Sequence, residues 1–488
     1  MGGKMDENKL IGSKIYDLAG REYTILKKIG EGAQGIIYES TDGFIIKINY
    51  TTRVERKDLV TRYKWIINKK IPKETRIVTP IAILQEPYAG YIMIKVKGHI
   101  ALDNYITPSK KVSLPEWYNY ITGGLKKRLE IGALLAKSLR NLHIFGLTYC
   151  DLSPSNILVA QKQNSIVLID PDNLTSTGTF TTSILGTPRY IAPELFKGMN
   201  QPNSLSDTYS YAVILFEMLR LGHPMLGDKV LDGGPEDEEE ALKGNGVYIN
   251  HPNDESNHNS RLTMTEGLLT DELKELFKLV FVDGLHSYIK RPTLNEFRDA
   301  CLRAKDLLIN CTNPDCNAMF YYEENEEPEC PWCCKKQADI IKLTFIQNIT
   351  LREFEIPDIR SQGQYKKLAV TPKKINQFVL NEGIQILNKR HFEPMVSIQK
   401  DEKLIAVNVD ANRNVSVQKL KDIPLYIYNK ENNTVKSINL GTEEQLMRNK
   451  SAIMFSKDFN IIDDKPLKMD DIVKIYGQTA IMNYAALY

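Results

Sequence analysis

The stretch that decides the fold covers residues 149–158 and reads Tyr-Cys-Asp-Leu-Ser-Pro-Ser-Asn-Ile-Leu. Within it, Asp151 and Asn156 lie five positions apart in a turn-rich segment. At that spacing a carboxylate can orient a hydroxyl nucleophile while a carboxamide oxygen holds a metal ion. The apolar run 166–169 then leads to Asp170, whose carboxylate is a hard oxygen ligand suited to Mg²⁺. The segment therefore predicts a hydroxyl-orienting carboxylate close to two oxygen ligands for Mg²⁺.

A glycine-rich run lies upstream, where residues 30–35 read Gly-Glu-Gly-Ala-Gln-Gly. The same spacing opens dinucleotide-binding folds, but there a helix follows the glycines, whereas here a β-type run follows. Lys47 comes 12 residues after Gly35, within a second β-type run. A hairpin can cover a triphosphate only if its turn carries no clashing side chains, and a lysine on a strand can then reach the phosphates from below. The pattern predicts ATP bound beneath a β-hairpin.

The composition is that of an ordinary globular protein. The chain has 488 residues, enough for about three domains, with 42% hydrophobic and 25% charged residues. This excludes intrinsic disorder, collagen-like repeats and a disulfide-stapled miniprotein. The net charge of +2 argues against a dedicated binder of nucleic acids or membrane surfaces. The start lacks the apolar core of a signal peptide, and no run reaches roughly 18 apolar residues, so we expect a cytoplasmic protein without a membrane partner.

The periodicity predicts a β-rich first part and a helical second part. Strands are expected at residues 23–29, 35–40, 44–48, 78–85 and 90–97. Helices are expected at residues 54–67, 125–143, 207–221 and 271–282. The acidic run 236–240 is interpreted as a solvated loop, and strands return after residue 340, for example at 378–387, 404–409 and 424–429.

Two further segments follow in matching order: Gly-Thr-Pro-Arg-Tyr-Ile-Ala-Pro-Glu at 186–194 and Lys-Arg-Pro-Thr at 290–293. With them, residues 23–305 resemble the eukaryotic-like (Hanks-type) protein kinases. The resemblance implies an α+β, two-lobed kinase fold, with an N-terminal extension at 1–22, a β-rich N-lobe at 23–98 and a helical C-lobe at 99–305. It also implies ATP and Mg²⁺ as cofactors and protein hydroxyls as substrates.

The resemblance assigns a role to each matching residue. Lys47 would anchor the phosphates, Asp151 would be the catalytic base, and Asn156 and Asp170 would bind Mg²⁺. The remaining matches are Gly30, Gly32 and Gly35 over the nucleotide, Ile37, Ile45 and Leu158 around the adenine, Thr187 at the substrate, and Glu194 with Arg291 as an ion pair that braces the large lobe.

Three further expectations concern the surroundings of this centre. The acid that pairs with Lys47 in the family is assigned to Glu55, because Leu59 follows it at the right spacing, although a solvated helix face is the alternative reading. His143 and Asp207 are interpreted as structural groups, Asp207 bracing the catalytic loop by hydrogen bonds. The hydroxyl-rich run 175–183 is either a set of autophosphorylation sites or a polar loop.

Three positions depart from the family pattern. Cys150 replaces an arginine that pairs with a phosphorylated activation loop, so activity should depend less on loop phosphorylation. Ser153 replaces a lysine that contacts the γ-phosphate, and Asp170-Pro171-Asp172 replaces Asp-Phe-Gly. The loss of a positive charge at the transition state lowers the expected rate.

Five of the seven cysteines fall in one short segment. Cys311-x4-Cys316 and Cys330-x2-Cys333 are separated by 13 residues, a spacing that presents four thiolates to a structural Zn²⁺, with Cys334 as a spare. The segment, 306–337, resembles the zinc ribbon of a bacterial kinase subgroup linked to stress-response operons with phosphatases, which implies a cognate phosphatase as partner. It lacks the basic and aromatic surface of a nucleic-acid reader.

The strands of residues 338–488 suggest a β-sandwich similar to a forkhead-associated domain, although no phosphate-binding Arg-Ser pair is evident. The sequence as a whole predicts a bacterial Ser/Thr protein kinase in signalling or stress response, which also phosphorylates itself. The alternative is a pseudokinase scaffold that binds nucleotide and recruits partners through its C-terminal domain.

Overall fold

The first part of the chain forms an antiparallel sheet with the strand order β1-β2-β3-β4-β6-β5. Its strands are β1 (Lys14–Tyr16), β2 (Glu22–Gly32), β3 (Gly35–Ser40), β4 (Phe44–Asn49), β5 (Ala82–Ile83) and β6 (Gly90–Ile94). The computed structural model describes residues 10–32, 34–176, 186–198, 201–324, 327–347, 373–392, 402–455 and 483–488. Four of the five predicted strands form, whereas the strand predicted at 78–85 shrinks to β5.

Helix α1 (Arg53–Asn68) covers one face of this sheet. Tyr63 and Ile66 of the helix are buried against Tyr91 and Met93 of β6. Thr52 caps the helix and forms a capping box with Glu55, so two backbone N–H groups at the helix start are satisfied. The helix therefore begins within two residues of its predicted start, at a cap that the sequence itself encodes.

The following lobe is mainly helical and has α5 at its centre. Its helices are α2 (Leu114–Glu116), α3 (Gly124–Ile144), α4 (Pro193–Phe196), α5 (Ser204–Arg220), α6 (Asp228–Leu231), α7 (Pro235–Glu240), α8 (Asp271–Lys278) and α9 (Leu294–Asp306). Nearly every residue of α5 is buried, as expected for a helix packed on all sides. The interpretation of 236–240 as a loop is wrong: Pro235 at the first helical position and Asp237 at the cap start α7, whose acidic side chains stay on the surface.

Short strands position the loop around Asp151. They are β7 (His99–Ala101), β8 (Leu147–Thr148), β9 (Ile157–Ala160), β10 (Ile166–Leu168) and β11 (Thr175–Ser176). The hairpin β9-β10 brings the two ends of the segment 157–168 together, so that Asn156 and Asp170 lie at the same end of the hairpin. This places the two predicted Mg²⁺ ligands on neighbouring backbone segments.

The chain divides into two compact units, Met1–Lys305 and Asp306–Tyr488. The second unit starts with the hairpin β12 (Leu308–Asn310) and β13 (Met319–Tyr321). Two antiparallel sheets follow, with orders β15-β14-β23-β22-β19-β20 and β16-β17-β18-β21. Their elements are β14 (Ile341–Gln347), β15 (Lys373–Leu380), β16 (Gly383–Asn388), α10 (Lys389–Phe392), β17 (Lys403–Val409), β18 (Val415–Lys419), β19 (Tyr426–Asn429), β20 (Thr434–Ser437), β21 (Glu443–Leu446), β22 (Ser451–Met454) and β23 (Asn483–Leu487).

Apolar side chains of both sheets form one core, which includes Leu343, Phe345, Val407 and Val417. Two sheets around a shared core are a β-sandwich, the predicted architecture. The likeness to a forkhead-associated domain and the boundaries at 22/23, 98/99 and 337/338 stay predictions. Within the described residues, no helix combines the length and the apolar character that a membrane span requires.

Candidate active site

Lys47 lies at the centre of the site and is almost fully buried. Its Nζ lies 2.6 Å from Asp170 Oδ1 and 2.8 Å from Asp172 Oδ2. Gln34, from the glycine-rich turn, places its Oε1 3.4 Å from the same nitrogen. Lys47 and Asp170 are 123 positions apart, so the fold brings the predicted phosphate-anchoring and metal-binding residues into direct contact.

Two glycines allow the backbone to pack closely around this lysine. A Cβ on Gly35 would lie 2.2 Å from the carbonyl oxygen of Ile48, so any side chain there would displace β4. A Cβ on Gly90 would lie 1.9 Å from the carbonyl oxygen of Lys47 itself. A Cβ on Gly32 would meet open space, and one on Gly30 would meet only the Ile37 side chain at 4.0 Å, as a flap over a ligand needs. The glycine-rich loop thus allows close backbone packing at Gly35 and leaves space for a ligand at its turn. Gly90 also allows the backbone to pack closely around Lys47, and the sequence pattern did not predict this role.

Asp170 opens a tight turn, Pro171–Asn173, in which Asp172 and Asn173 both face functional groups. Asp170 itself has a φ of 59°, a left-handed conformation that aspartate tolerates better than most residues. Asn173 donates its Nδ2–H to Asp151 Oδ2 at 3.1 Å. One turn therefore contacts both the buried lysine and the predicted catalytic base.

Asp151 is fixed on both sides of its carboxylate. Thr187 donates its hydroxyl to the other oxygen, Oδ1, at 3.1 Å. Asn156 donates its Nδ2–H to the backbone carbonyl of Asp151 at 2.9 Å, so its carboxamide oxygen is the group that remains for a metal ion. Ser153 is buried and hydrogen-bonds with Ser155 across 3.0 Å. The predicted base, metal ligand and substrate-positioning threonine thus share one hydrogen-bonded cluster.

The loop that carries Asp151 is fixed from below by Asp207 of α5. The Asp207 carboxylate accepts the backbone N–H groups of Tyr149 and Cys150 at 2.8 and 3.0 Å and pairs with His143 Nε2 at 2.8 Å. These contacts confirm the structural interpretation of Asp207 and His143. The Tyr149 hydroxyl donates to the carbonyl of Ile169. Tyr149 therefore connects the loop that carries Asp151 to the residue before Asp170.

Buried charges dominate the electrostatics of the site. Burial would lower the pKa of Lys47, but the charges of Asp172 and Asp170 outweigh it and raise that pKa. Burial raises the pKa of Asp170, and the neighbouring charge of Asp172 raises it further, while Lys47 opposes both. Burial and the charge of Asp172 also raise the pKa of Tyr63 and Tyr91. Two acids beside one base leave an excess negative charge, which favours a cation.

Glu55 does not reach Lys47, so the predicted pairing of these two residues is wrong. Its carboxylate accepts the backbone N–H of Thr52 at 2.8 Å and the Thr51 hydroxyl at 3.2 Å, on the surface. A position in the first helical turn favours this capping bond, because the free backbone N–H groups lie beside it. The buried part of α1 instead presents Tyr63, and the acids that Lys47 contacts are Asp170 and Asp172.

The three aliphatic residues assigned to the adenine lie on three strands. Ile37 of β3 packs against the cluster that contains Ile45 of β4, while Leu158 lies half-buried on β9. Their role around a base stays a prediction. The brace of the large lobe is confirmed, because Arg291 binds Glu194 through two hydrogen bonds of 2.7 Å and both residues are buried.

The four predicted zinc ligands converge. The Sγ atoms of Cys311, Cys316, Cys330 and Cys333 all lie within 4.8 Å of one another, with separations of 3.6 and 3.7 Å for two pairs. A tetrahedral site with Zn–S bonds of about 2.3 Å places sulfurs about 3.7 Å apart, so the cluster fits Zn²⁺. The Cys311 sulfur also accepts the backbone N–H of Asn313 at 3.4 Å. Cys334 is exposed and lies outside the cluster.

Sequence reasoning missed Asp172, Asn173, Gln34 and Tyr149. The Asp-Pro-Asp run at 170–172 contains the signal for Asp172, because its second carboxylate lies two positions from the predicted metal ligand. The expected autophosphorylation run 175–183 lies outside the described residues from position 177 onward.

Comparisons with known proteins agree with this geometry. A family model described as "Protein kinase domain" matches residues 23–315. A probable serine/threonine-protein kinase of Clostridium perfringens is 25% identical over 49% of this chain and 35% of its own length. Mitogen-activated protein kinase kinase kinase 7 of Drosophila melanogaster is 23% identical over 42% of this chain and 29% of its own. The DNA damage-responsive serine/threonine-protein kinase RqkA of Deinococcus radiodurans is 26% identical over 43% of this chain and 31% of its own. The chain therefore spans about a third of the length of these relatives.

Proposed function

The chain belongs to the protein kinase family, and on that premise we propose that it transfers the γ-phosphate of ATP to serine and threonine hydroxyls of proteins. The family match confirms the predicted resemblance and the predicted two-lobed fold. ATP and Mg²⁺ are the cofactors that the family implies. The observation that carries the proposal is the 2.6 Å contact between Lys47 and Asp170 next to a carboxylate, Asp151, that Asn173 and Thr187 fix on both sides.

In the proposed mechanism, Asp170 and Asn156 would hold Mg²⁺, which neutralises phosphate charge when it is bound. Lys47 supplies a buried positive charge for the phosphates from beneath the glycine-rich hairpin. Asp151 accepts the proton of the substrate hydroxyl and orients its oxygen toward the phosphorus. Thr187, which donates to Asp151, lies where an incoming hydroxyl would have to approach that carboxylate.

The substitutions around Asp151 define how this kinase would differ from many relatives. Burial and the charge of Asp207 raise the pKa of the Cys150 thiol, so the side chain stays neutral and does not provide the positive charge that binds a phosphorylated loop. Activity is therefore expected to depend less on loop phosphorylation than in family members that carry an arginine at this position. Ser153 contributes no charge to the transition state, and we expect a low turnover number for this reason.

We also propose that the four clustered cysteines hold a structural Zn²⁺. The donor set and the N–H···S contact support this assignment. Protein substrates, a cognate phosphatase, autophosphorylation and a cytoplasmic location complete the proposal as predictions from the resemblance.

The decisive test is phosphate transfer from ATP labelled at the γ-phosphate to a generic basic acceptor protein, measured with the full chain and Mg²⁺. Asp151→Asn should lower the rate about 10²- to 10⁴-fold, because it removes the proton acceptor while preserving shape. Asp42→Asn, at an exposed turn between β3 and β4, is the matched control and should leave the rate unchanged. Equal transfer by Asp151→Asn and the unaltered chain would refute the enzyme proposal. Nucleotide binding without transfer would favour the pseudokinase scaffold.

A further inference from the structure

We propose that Asp172 is the positioning residue of Lys47, holding its ammonium group for the phosphates so that Asp170 is released to bind Mg²⁺. This inference rests on the proposed function. It assigns to Asp172, in the turn after Asp170, the pairing with Lys47 that the sequence pattern predicted for Glu55 of α1. Asp172 acts through Lys47 and touches neither nucleotide nor substrate in this scheme.

The first argument is the different burial of the two carboxylates around Lys47. The Asp172 side chain is 7% exposed and the Asp170 side chain is 28% exposed. The inner acid is thus shielded from solvent and from any metal ion that enters the cleft, whereas the outer acid is accessible to it. Asp172 is therefore suited to hold the lysine permanently, and Asp170 is suited to exchange the lysine for a metal ion.

The second argument is a conflict that Asp172 resolves. Asp170 Oδ1 lies 2.6 Å from Lys47 Nζ, so a metal ion at Asp170 would compete with the ammonium group for the same carboxylate. A buried ammonium group without a counter-charge is strongly destabilised. Because Asp172 Oδ2 lies 2.8 Å from the same nitrogen, Lys47 keeps a counter-charge when Asp170 turns to the metal.

The third argument is that, among the described side chains of α1, none places an acid beside Lys47. Its residue Tyr63 is fully buried, donates its hydroxyl to Asn49 at 2.9 Å and packs its ring 4.8 Å from the ring of Tyr91. The neighbouring Arg62 donates instead to the backbone carbonyls of Asp172 and Leu174. The helix thus supplies a cation that holds the turn, and the turn supplies the acid that holds the lysine.

The fourth argument is the rigidity of the turn. Pro171 fixes its own φ angle, and Asn173 is anchored to the Asp151 carboxylate at 3.1 Å. Asp172, between these two residues, therefore has a fixed backbone position relative to Asp151. This geometry links the phosphate-anchoring lysine and the proton-accepting carboxylate through a single short segment.

The experiment compares Asp172→Asn with Glu55→Gln, each of which removes one negative charge with little change of shape. A fluorescent ATP analogue is titrated into the full chain at several Mg²⁺ concentrations, and the Mg²⁺ concentration that gives half-maximal binding is measured. In Asp172→Asn, Asp170 becomes the sole carboxylate partner of Lys47 and resists the metal, so we expect this midpoint to rise about tenfold or more. Glu55→Gln should leave it within about twofold, since Glu55 caps α1 on the surface.

Steady-state kinetics on the same samples separates positioning from general stability. Loss of positioning should lower kcat about 10- to 100-fold in Asp172→Asn, because Lys47 then meets the transferring phosphate out of place. Asp172→Glu preserves the charge and should keep the Mg²⁺ midpoint within about threefold of the unaltered chain. If Asp172→Asn fails to fold, a rise of the Mg²⁺ midpoint of about tenfold or more in Asp172→Glu would overturn the role of Asp172.

The outcomes distinguish this inference from the proposed function. An unchanged Mg²⁺ midpoint in Asp172→Asn, or an equal rise in Asp172→Asn and Asp172→Glu, would overturn the role of Asp172. A chain that binds the analogue but never transfers phosphate would refute only the proposed function, because the Mg²⁺ midpoint still reports on Asp172. Absence of Mg²⁺-dependent binding in the unaltered chain would overturn both.

Discussion

The cleft around Lys47 and the cluster of four cysteines each bring several reactive side chains together, but the two sites are assembled in different ways. In the cleft, Lys47 and Asp170 come from positions 123 residues apart, and their charges neutralise each other within the protein. In the cluster, Cys311 and Cys333 are 22 residues apart, and all four members carry the same chemistry. The cleft supplies the counter-charge of Lys47 from the protein itself, whereas the proposed metal site of the cluster would take its cation from solution.

This difference shows which interaction stabilises each site. Four neighbouring thiolates repel one another unless a metal ion compensates them, so the proposed Zn²⁺ would be the main source of stability for the cysteine segment. The cleft is fixed by buried ion pairs and hydrogen bonds that exist before any ligand arrives. The three predictions below test this contrast, from the largest expected effect to the smallest.

The largest effect is expected for Cys330→Ser, which should abolish stoichiometric zinc binding. The folding free energy contributed by a structural zinc site is about 10–16 kcal/mol, so loss of a ligand should also make residues 306–337 susceptible to protease. Zinc content measured by elemental analysis and proteolysis with and without a chelator check this. Cys334→Ser, one position outside the four, is the matched control and should retain one zinc per chain. Full zinc content in Cys330→Ser would show that the four cysteines are not the zinc ligands and would contradict the proposed difference between the two sites.

The second prediction concerns counter-charges supplied by the protein itself. Arg291→Met should destabilise the chain by about 3–5 kcal/mol, because the buried Glu194 loses its bidentate partner. The double variant Arg291→Met with Glu194→Gln should recover part of this loss, since no uncompensated charge remains. Denaturant unfolding monitored by fluorescence measures both. A single variant as stable as the double variant would show that the ion pair contributes little.

The third prediction concerns Glu217, a buried acid that forms no ion pair within the described part of the chain. Burial raises the pKa of Glu217 to about 7, although the hydroxyl of Tyr190 donates to it at 2.8 Å. A folded-state pKa above the unfolded value makes the native state bind the proton more tightly, so stability is highest below about pH 4.5 and falls as the pH rises through about 7. Glu217→Gln should therefore match the unaltered chain near pH 5 and exceed its stability by about 2–3 kcal/mol at pH 8.

Thermal unfolding across pH 5–8 measures this difference. Asp237→Asn, which removes an exposed cap of α7, is a control that should show no such pH-dependent gain. Parallel pH profiles for Glu217→Gln and the unaltered chain would contradict the predicted charge state of Glu217.

Much of the fold and of the site follows from sequence because the informative patterns are local. The glycine-rich run predicted a hairpin that forms as β2 and β3, and the cysteine spacing predicted a cluster whose members converge. The apolar spacing of residues 54–67 predicted helix α1, which begins at Arg53 in the structure. The acidic run 236–240 was misjudged because charge suggested a loop, whereas Pro235 and a cap at Asp237 are sufficient to start a short helix.

The acid that pairs with Lys47 could not be predicted from local sequence patterns. Glu55 had the favourable spacing, but a glutamate in the first turn of a helix binds free N–H groups more readily than a distant buried lysine. Asp172 is 125 positions from Lys47 in the chain, and no periodicity relates the two residues.

The sequence by itself determined the family resemblance, the elements that carry the glycine-rich run and the Asp151 loop, and the four thiols of the cluster, because each depends on residues close together in the chain. Only the tertiary structure decided that Asp172 pairs with Lys47, that Asn173 and Thr187 fix the Asp151 carboxylate, and that Gly90 lets the backbone pack against the carbonyl of Lys47. Those choices depend on contacts between segments that are distant in the chain, up to 125 positions for Lys47 and Asp172, and no local pattern relates them. For Lys47, burial makes an unpaired charge costly and so selects the contacts that neutralise it.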